Sequence, residues 1–144
     1  MMASALTGFS GPSHNVVVPT ISPIIEDVKI GKEIAVEEYI RNYFSDIPIM
    51  IEIARCESQF RQYDKSGKVL RGVVNDLDRG VMQINEYYHN ETSVKLGYDI
   101  LTTEGNTAYA RALFEKYGVK PWSSSSRCWA KTTAYAEYKG LAMK

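Results

Sequence analysis

An excess of either sign of charge is missing from this sequence: 17 lysines and arginines stand against 17 aspartates and glutamates. Without a basic surplus there is no electrostatic footprint of a nucleic-acid-binding protein, and no long-range field draws the molecule toward an anionic polymer. Long apolar runs are missing as well. The longest, Ile47 to Ala54, is broken by Pro48 and Glu52 and falls far short of the roughly 18–20 residues that a membrane-spanning helix requires. Cysteine and histidine are scarce, with two of each. Cys56, Cys128, His14 and His89 fit no metal-ligand spacing, so neither a metal nor another cofactor is expected. There is no nucleotide-phosphate loop and no internal repeat. Any polymer held by this chain is therefore held by shape, hydrogen bonds and aromatic contacts. The two cysteines alone leave two readings open, a disulfide in an oxidising compartment or a pair of buried thiols in a cytosolic protein. A bridge would close a long loop and stabilise the fold by about 4 kcal/mol in the chain-entropy model.

What is present is an ordinary globular composition, 44% hydrophobic and 24% charged over 144 residues, enough for one domain with a real core. Residues 1–31 differ from the rest. They hold Pro12, Pro19 and Pro23, are punctuated by Gly and Ser, and show no helical period, which predicts an extended arm or linker. No basic stretch precedes an apolar one there, so the segment does not read as a signal peptide. His14 lies in this arm and suggests no chemistry.

Residues 32–144 are expected to form the domain. Ile34, Ala35, Tyr39, Ile40, Tyr43 and Phe44 recur at helical spacing and predict a first helix. Asp46 is a candidate N-cap, with Pro48 in the first turn, for a second helix from about Ile47 to Phe60. The stripe Met50, Ile53, Ala54, Glu57, Phe60 sets a carboxylate on that helix's apolar face. Asp64-Lys65-Ser66-Gly67 and Asn75-Asp76 read as turns, with short strands at Val69, Leu70, Val73 and Val74 and again at Val81 to Ile84. Helices are predicted at Glu91 to Leu96, at about Thr103 to Tyr117, and from Cys128 to Tyr138, with Gly97 and Gly118 just past helix ends and the serine run Ser123 to Ser126 in a loop. The fold class is thus mainly α (α+β), with one small β-hairpin region.

A glutamate on an apolar helix face is suited to proton delivery. Cleaving a glycosidic bond requires a carboxylic acid that stays protonated near neutral pH, and desolvation among apolar side chains achieves this by disfavouring the charged form. Helix-end glutamates more often reach solvent or pair with a neighbouring arginine, here Arg55 or Arg61. Two motifs shift that balance. Glu57-Ser58-Gln59-Phe60 is followed about twenty residues later by Gly80-Val81-Met82-Gln83-Ile84-Asn85. Gly80 lets backbone approach a ligand closely. The Gln83 amide both donates and accepts, which suits an N-acetyl sugar.

In that order and at that separation, the two motifs resemble the lysozyme-like superfamily, most nearly its soluble lytic transglycosylase domain. Gly80 to His89, with Tyr87-Tyr88-His89, also resembles goose-type lysozymes, and Gly105-Asn106 opens a helix much as an asparagine does in transglycosylases. The resemblance covers roughly residues 47–129. It implies a lysozyme-like fold with the β-hairpin beside a substrate cleft, and a monomeric enzyme acting on peptidoglycan glycan strands at the β-1,4 bond between N-acetylmuramic acid and N-acetylglucosamine. Glu57 matches the acid/base. Ser58, Met82, Gln83 and Asn85 match positions that line or support the sugar site, and Tyr87, Tyr117 and Trp122 are candidate aromatic walls. Because such enzymes work outside the cytoplasm, the resemblance also implies an extracytoplasmic protein with Cys56 bridged to Cys128.

The sequence departs from this pattern at the C-terminal side of the cleft. The Ala-x-x-Tyr-Asn-x-Gly segment common in lytic transglycosylases is absent, and Tyr117 to Trp122 with the serine run stands in its place. A hydrolase needs a second carboxylate, and Asp78 is the candidate, although Asn75-Asp76-Leu77-Asp78 is also good turn chemistry, which is the preferred reading. Asn85 stands where goose-type enzymes often carry an aspartate, which favours a transglycosylase over a muramidase. A module that binds peptidoglycan without cutting it is the alternative of another class. For His89, a structural hydrogen bond is preferred to substrate contact.

Overall fold

The computed structural model describes residues 35–142; the arm expected over residues 1–31 lies outside them. The protein is mainly helical with one small two-stranded antiparallel sheet, the class that the patterning predicts.

Helix α1 covers residues 35–43. Ile40 and the following Phe44 are wholly buried, and Arg41 pairs with Glu37 one turn away on the outer face. Ala35, expected in the stripe, is exposed. Helix α2 spans Pro48–Ser58 and buries Ile49, Met50, Ile53 and Ala54. Its start corrects the predicted cap. Ile47 occupies the N-cap without a side-chain bond, and Pro48 opens the helix. Asp46 instead receives two hydrogen bonds from Arg111, at 2.8 and 2.9 Å, which hold its carboxyl below the usual carboxylate range. Arg111 also donates to the Tyr43 carbonyl at 2.7 Å, so the corner between α1 and α2 is tied to a distant helix. Helix α2 ends abruptly because Gln59 and Phe60 both adopt left-handed backbone, at φ 56° and 60°. Such conformations cost on the order of 1–3 kcal/mol each for a non-glycine residue, and burial of the Phe60 ring offsets the cost there.

The β region is smaller than predicted. Strand β1 (Asp78–Arg79) pairs antiparallel with β2 (Ile84–Asn85), Asp78 facing Asn85 and Arg79 facing Ile84. Val81 to Gln83, expected to be strand together with Ile84, form with Gly80 the turn between them. Val69 makes a single bridge to Tyr63, and Arg71 one to Arg79. Val73 and Val74 form no strand; their side chains are fully exposed in a bend. Gly72 N–H donates to the Asp78 carbonyl at 3.0 Å and so closes the loop in which the two valines lie.

Helix α3 (Glu86–Lys95) begins five residues before its predicted start, because the Asn85 side chain caps it by accepting from Tyr88 N–H. Helix α4 runs Thr103–Tyr117 as predicted, with Thr102 accepting from Gly105 N–H at its start and Gly118 at its end. The serine run is not a loop: Ser123 to Ser125 end a 3-10 helix, Lys120–Ser125, and Ser126 opens the next helix. The predicted last helix is divided into α5 (Ser126–Trp129) and α6 (Thr133–Ala142). Thr132 makes the break: its hydroxyl donates to the Trp129 carbonyl at 2.7 Å and accepts from Tyr135 N–H at 3.3 Å. Helix α2 packs against α5, α6 and the 3-10 helix, and the Cys56–Cys128 disulfide joins α2 to α5. No described helix is long and apolar enough to cross a membrane.

Candidate active site

The turn between β1 and β2 is held from all sides. Val81 N–H donates to Gln62 Oε1 at 2.8 Å, and the Val81 carbonyl accepts from Ser58 Oγ at 2.8 Å. Met82 N–H donates to Asn106 Oδ1 at 2.9 Å, and the Met82 carbonyl accepts from the Trp122 indole at 2.9 Å. Four side chains from different parts of the chain thus satisfy every polar backbone group of two consecutive buried residues, which would otherwise cost about 1–3 kcal/mol each. The remaining polar atoms of two of them are also used. Asn106 Nδ2 donates to the carbonyls of Arg79 and Ile100, at 3.0 and 2.7 Å, and Gln62 Nε2 donates to the Leu101 carbonyl at 3.0 Å. Gly80 is required where this network closes in. Its φ is +67°, and a Cβ there would lie 2.4 Å from Gln62 Oε1 and 2.8 Å from Asn106 Nδ2.

This framework places Glu57 beside the hairpin, one residue before the end of α2. Its Oε1 accepts from Ser125 Oγ at 2.6 Å. Burial pushes the carboxyl's pKa up; the Ser125 bond opposes this, and the charge of Asp78 adds to it. Among the described residues no buried side-chain nitrogen or oxygen lacks a partner. Glu57 Oε2, which no protein donor meets, is therefore not sealed from solvent, in keeping with its half-buried side chain. The neighbouring arginines are engaged elsewhere, Arg55 with Glu52 and Arg61 with the Ser58 carbonyl. The result is a carboxyl that is mostly desolvated, anchored through one oxygen and accessible through the other.

Asp78 belongs to β1 rather than to a turn, and its Oδ1 accepts from Asn85 Nδ2 at 2.8 Å. Gln83 has left-handed backbone at φ 48°, and its Nε2 donates back to the Gly80 carbonyl at 2.8 Å. Gly72 closes this side: a Cβ there would lie 3.1 Å from both Asp78 Cβ and Gln83 Oε1. The structure thus gathers Asp78, Gln83 and Asn85 around the hairpin, with the charge of Asp78 reaching Glu57.

The other predicted residues fall into two groups. Ser58, Met82 and Trp122 are 3%, 0% and 3% exposed, so burial makes them supports of the turn and rules out direct contact with a ligand at the surface. Tyr87 and Tyr117 are exposed at 76% and 46%. Tyr87 packs edge-to-face on Tyr88, and Lys116 lies over the Tyr117 ring. Neither tyrosine touches the groups that hold Glu57. His89 Nδ1 meets Tyr109 Oη at 3.0 Å, the structural hydrogen bond preferred from sequence. Among the described residues no three His, Cys, Asp or Glu side chains form a metal-binding group.

Sequence reasoning did not single out Ser125, Gln62 or Gly72. Ser125 stands in a featureless serine run, and only its spacing of three from Cys128, once that cysteine is joined to the neighbour of Glu57, would have marked it. Nothing in the local pattern distinguishes Gln62. No protein-family model, curated protein or solved structure matches the chain.

Proposed function

We propose that this protein is a peptidoglycan lytic transglycosylase that cleaves the β-1,4 bond between N-acetylmuramic acid and N-acetylglucosamine with Glu57 as acid and base. The observation that carries the reading is the state of Glu57. Burial favours its protonated form, Ser125 anchors one oxygen, and the other is free to meet a leaving-group oxygen. A carboxyl so disposed protonates the glycosidic oxygen as the C1–O bond breaks. The resulting carboxylate then takes the proton of the sugar's own C6 hydroxyl as that oxygen bonds to C1. The product is a 1,6-anhydro end, and no water is consumed. Gln83, the last residue of the hairpin turn, spends one Nε2 hydrogen on the Gly80 carbonyl and has its second hydrogen and Oε1 to offer an acetamido group. The disulfide supports work in an oxidising, extracytoplasmic setting.

Hydrolysis is the second reading, favoured by one observation: the negative charge of Asp78 acts on Glu57, as a second carboxylate would. Against it, Asp78 is already engaged by Asn85. Mass spectrometry of the products from purified peptidoglycan separates the two. Anhydro ends establish the transglycosylase; reducing ends make it a muramidase with Asp78 as second carboxylate. Glu57→Gln is expected to retain the fold and lose cleavage by a factor of about 10²–10⁴. Absence of cleavage by the unmodified protein, with glycan binding retained, would make it a binding module.

A further inference from the structure

Ser125 links one oxygen of Glu57 to the groups of two tryptophans. Ser125 Oγ lies 2.6 Å from Oε1, and it accepts from the Trp129 indole N–H at 2.9 Å. The Trp122 carbonyl lies 3.1 Å from both Ser125 Oγ and Trp129 Nε1. A hydroxyl has one proton to give, whereas an indole only donates. Trp129 therefore fills a lone pair of Ser125, and the single hydroxyl proton goes either to Glu57 or to the Trp122 carbonyl. The shorter contact is the one to Glu57, 2.6 against 3.1 Å, which assigns the hydroxyl proton to Oε1; the bond strengthens further once the carboxyl is ionised. While Oε1 accepts that proton, the acidic proton of a neutral Glu57 has its place on Oε2, the oxygen not sealed from solvent. The disulfide fixes both sides of this arrangement, since Cys56 precedes Glu57 and Cys128 precedes Trp129.

Resting on the glycan-cleaving reading, we infer that Ser125 is a positioning residue that fixes the acidic proton of Glu57 on Oε2, with Trp129 holding Ser125 in its donating orientation. The proton that can be delivered is thereby the one that faces substrate. After delivery the carboxylate keeps the Ser125 bond, which offsets part of the cost of a charge in a desolvated place. The charged group acting on Glu57 is Asp78 of β1. Arg55 on its own helix is occupied by Glu52, Lys120 of the 3-10 helix and Arg127 of α5 are exposed, and Lys139 of α6 lies over the Tyr135 ring.

The test compares the full chain with Ser125→Ala, Ser125→Thr and Trp129→Phe. Two readouts are taken: the Glu57 carboxyl titration by carbon-13 NMR, and kcat and KM on peptidoglycan across pH. In Ser125→Ala the Glu57 midpoint is expected to rise, because a bond favouring the charged form is gone. There kcat falls about tenfold while KM stays within about twofold, and Ser125→Thr restores both values. Trp129→Phe moves the midpoint the same way by less. An unmoved midpoint in Ser125→Ala overturns the assignment whether or not the protein cleaves glycan. A midpoint that rises in a protein that cleaves nothing supports the Ser125–Glu57 coupling and overturns the glycan-cleaving reading instead.

Discussion

Replacing both Cys56 and Cys128 by alanine removes a cross-link between residues 72 apart in sequence. In the chain-entropy model a loop of that length restricts the unfolded chain enough to stabilise the native state by about 4 kcal/mol. The native side adds little to the cost, because Cys128 is exposed and Cys56 only half-buried, so truncation leaves no sealed cavity. Against a typical total of about 5–15 kcal/mol, the variant should be close to unfolding at physiological temperature. For a domain of this size the midpoint of thermal unfolding should drop by about 15 °C. Urea denaturation followed by tryptophan fluorescence measures the effect directly, since Trp122 and Trp129 are both 3% exposed in the native state. The m-value should rise along with the loss of stability, because an unlinked chain exposes more surface on unfolding. A loss below about 1 kcal/mol with an unchanged m-value would refute the reasoning, since the loop would then have placed no real constraint on the unfolded chain.

Two further predictions concern the site. Asn106→Ala strips partners from the Met82 N–H and from the Arg79 and Ile100 carbonyls; a loss of about 3–5 kcal/mol is expected in urea denaturation, and a loss under about 1 kcal/mol would mean that water replaces the amide freely. Glu57→Gln should stabilise the fold at neutral pH while removing activity. The Glu57 pKa is raised above its ordinary 4.5, so between that value and the raised one the native state holds more protons than the unfolded state, and stability falls as pH rises. The amide escapes this loss, each tenfold in proton affinity corresponding to about 1.4 kcal/mol. Its advantage should vanish below pH 4.5, where both states of the parent are protonated. Equal stability of the two proteins across pH would contradict the desolvation of Glu57.

Legibility in the sequence followed how local the causes are. Helix α4 could be read because its causes are local: Gly118 marks its end in the sequence, and the structure adds the Thr102 cap at its start. Helix α2 was legible from its stripe, and with it the placement of Glu57 on a buried face. Its start at about Ile47 was legible too, but the Asp46 cap was not, because Asp46 has a stronger partner in Arg111, 65 residues away. The valines at 69–74 have strand propensity, but only Val69 finds a bridge partner, and tertiary context leaves Val73 and Val74 in solvent. The division between α5 and α6 depends on one threonine hydroxyl that no periodicity discloses. Ser125 is the extreme case: it joins the candidate site through a bond that spans 68 residues of chain.

The buried turn between β1 and β2 has a consequence for how the protein folds and unfolds. Ser58 with Gln62, Asn106, and Trp122 reach it from three segments far apart along the chain, so the turn is incomplete while any one of them is out of place. Its formation is a non-local event that must await several loop closures. Once formed, it shares the fate of the whole domain rather than of the hairpin alone. Opening it locally would strand four side chains and four backbone groups at once, so the amides of Val81 and Met82 belong with the part of the molecule that yields only to global unfolding. The candidate site is built against that most cooperative part, with Glu57 one residue from Ser58 and Ser125 three residues from Trp122.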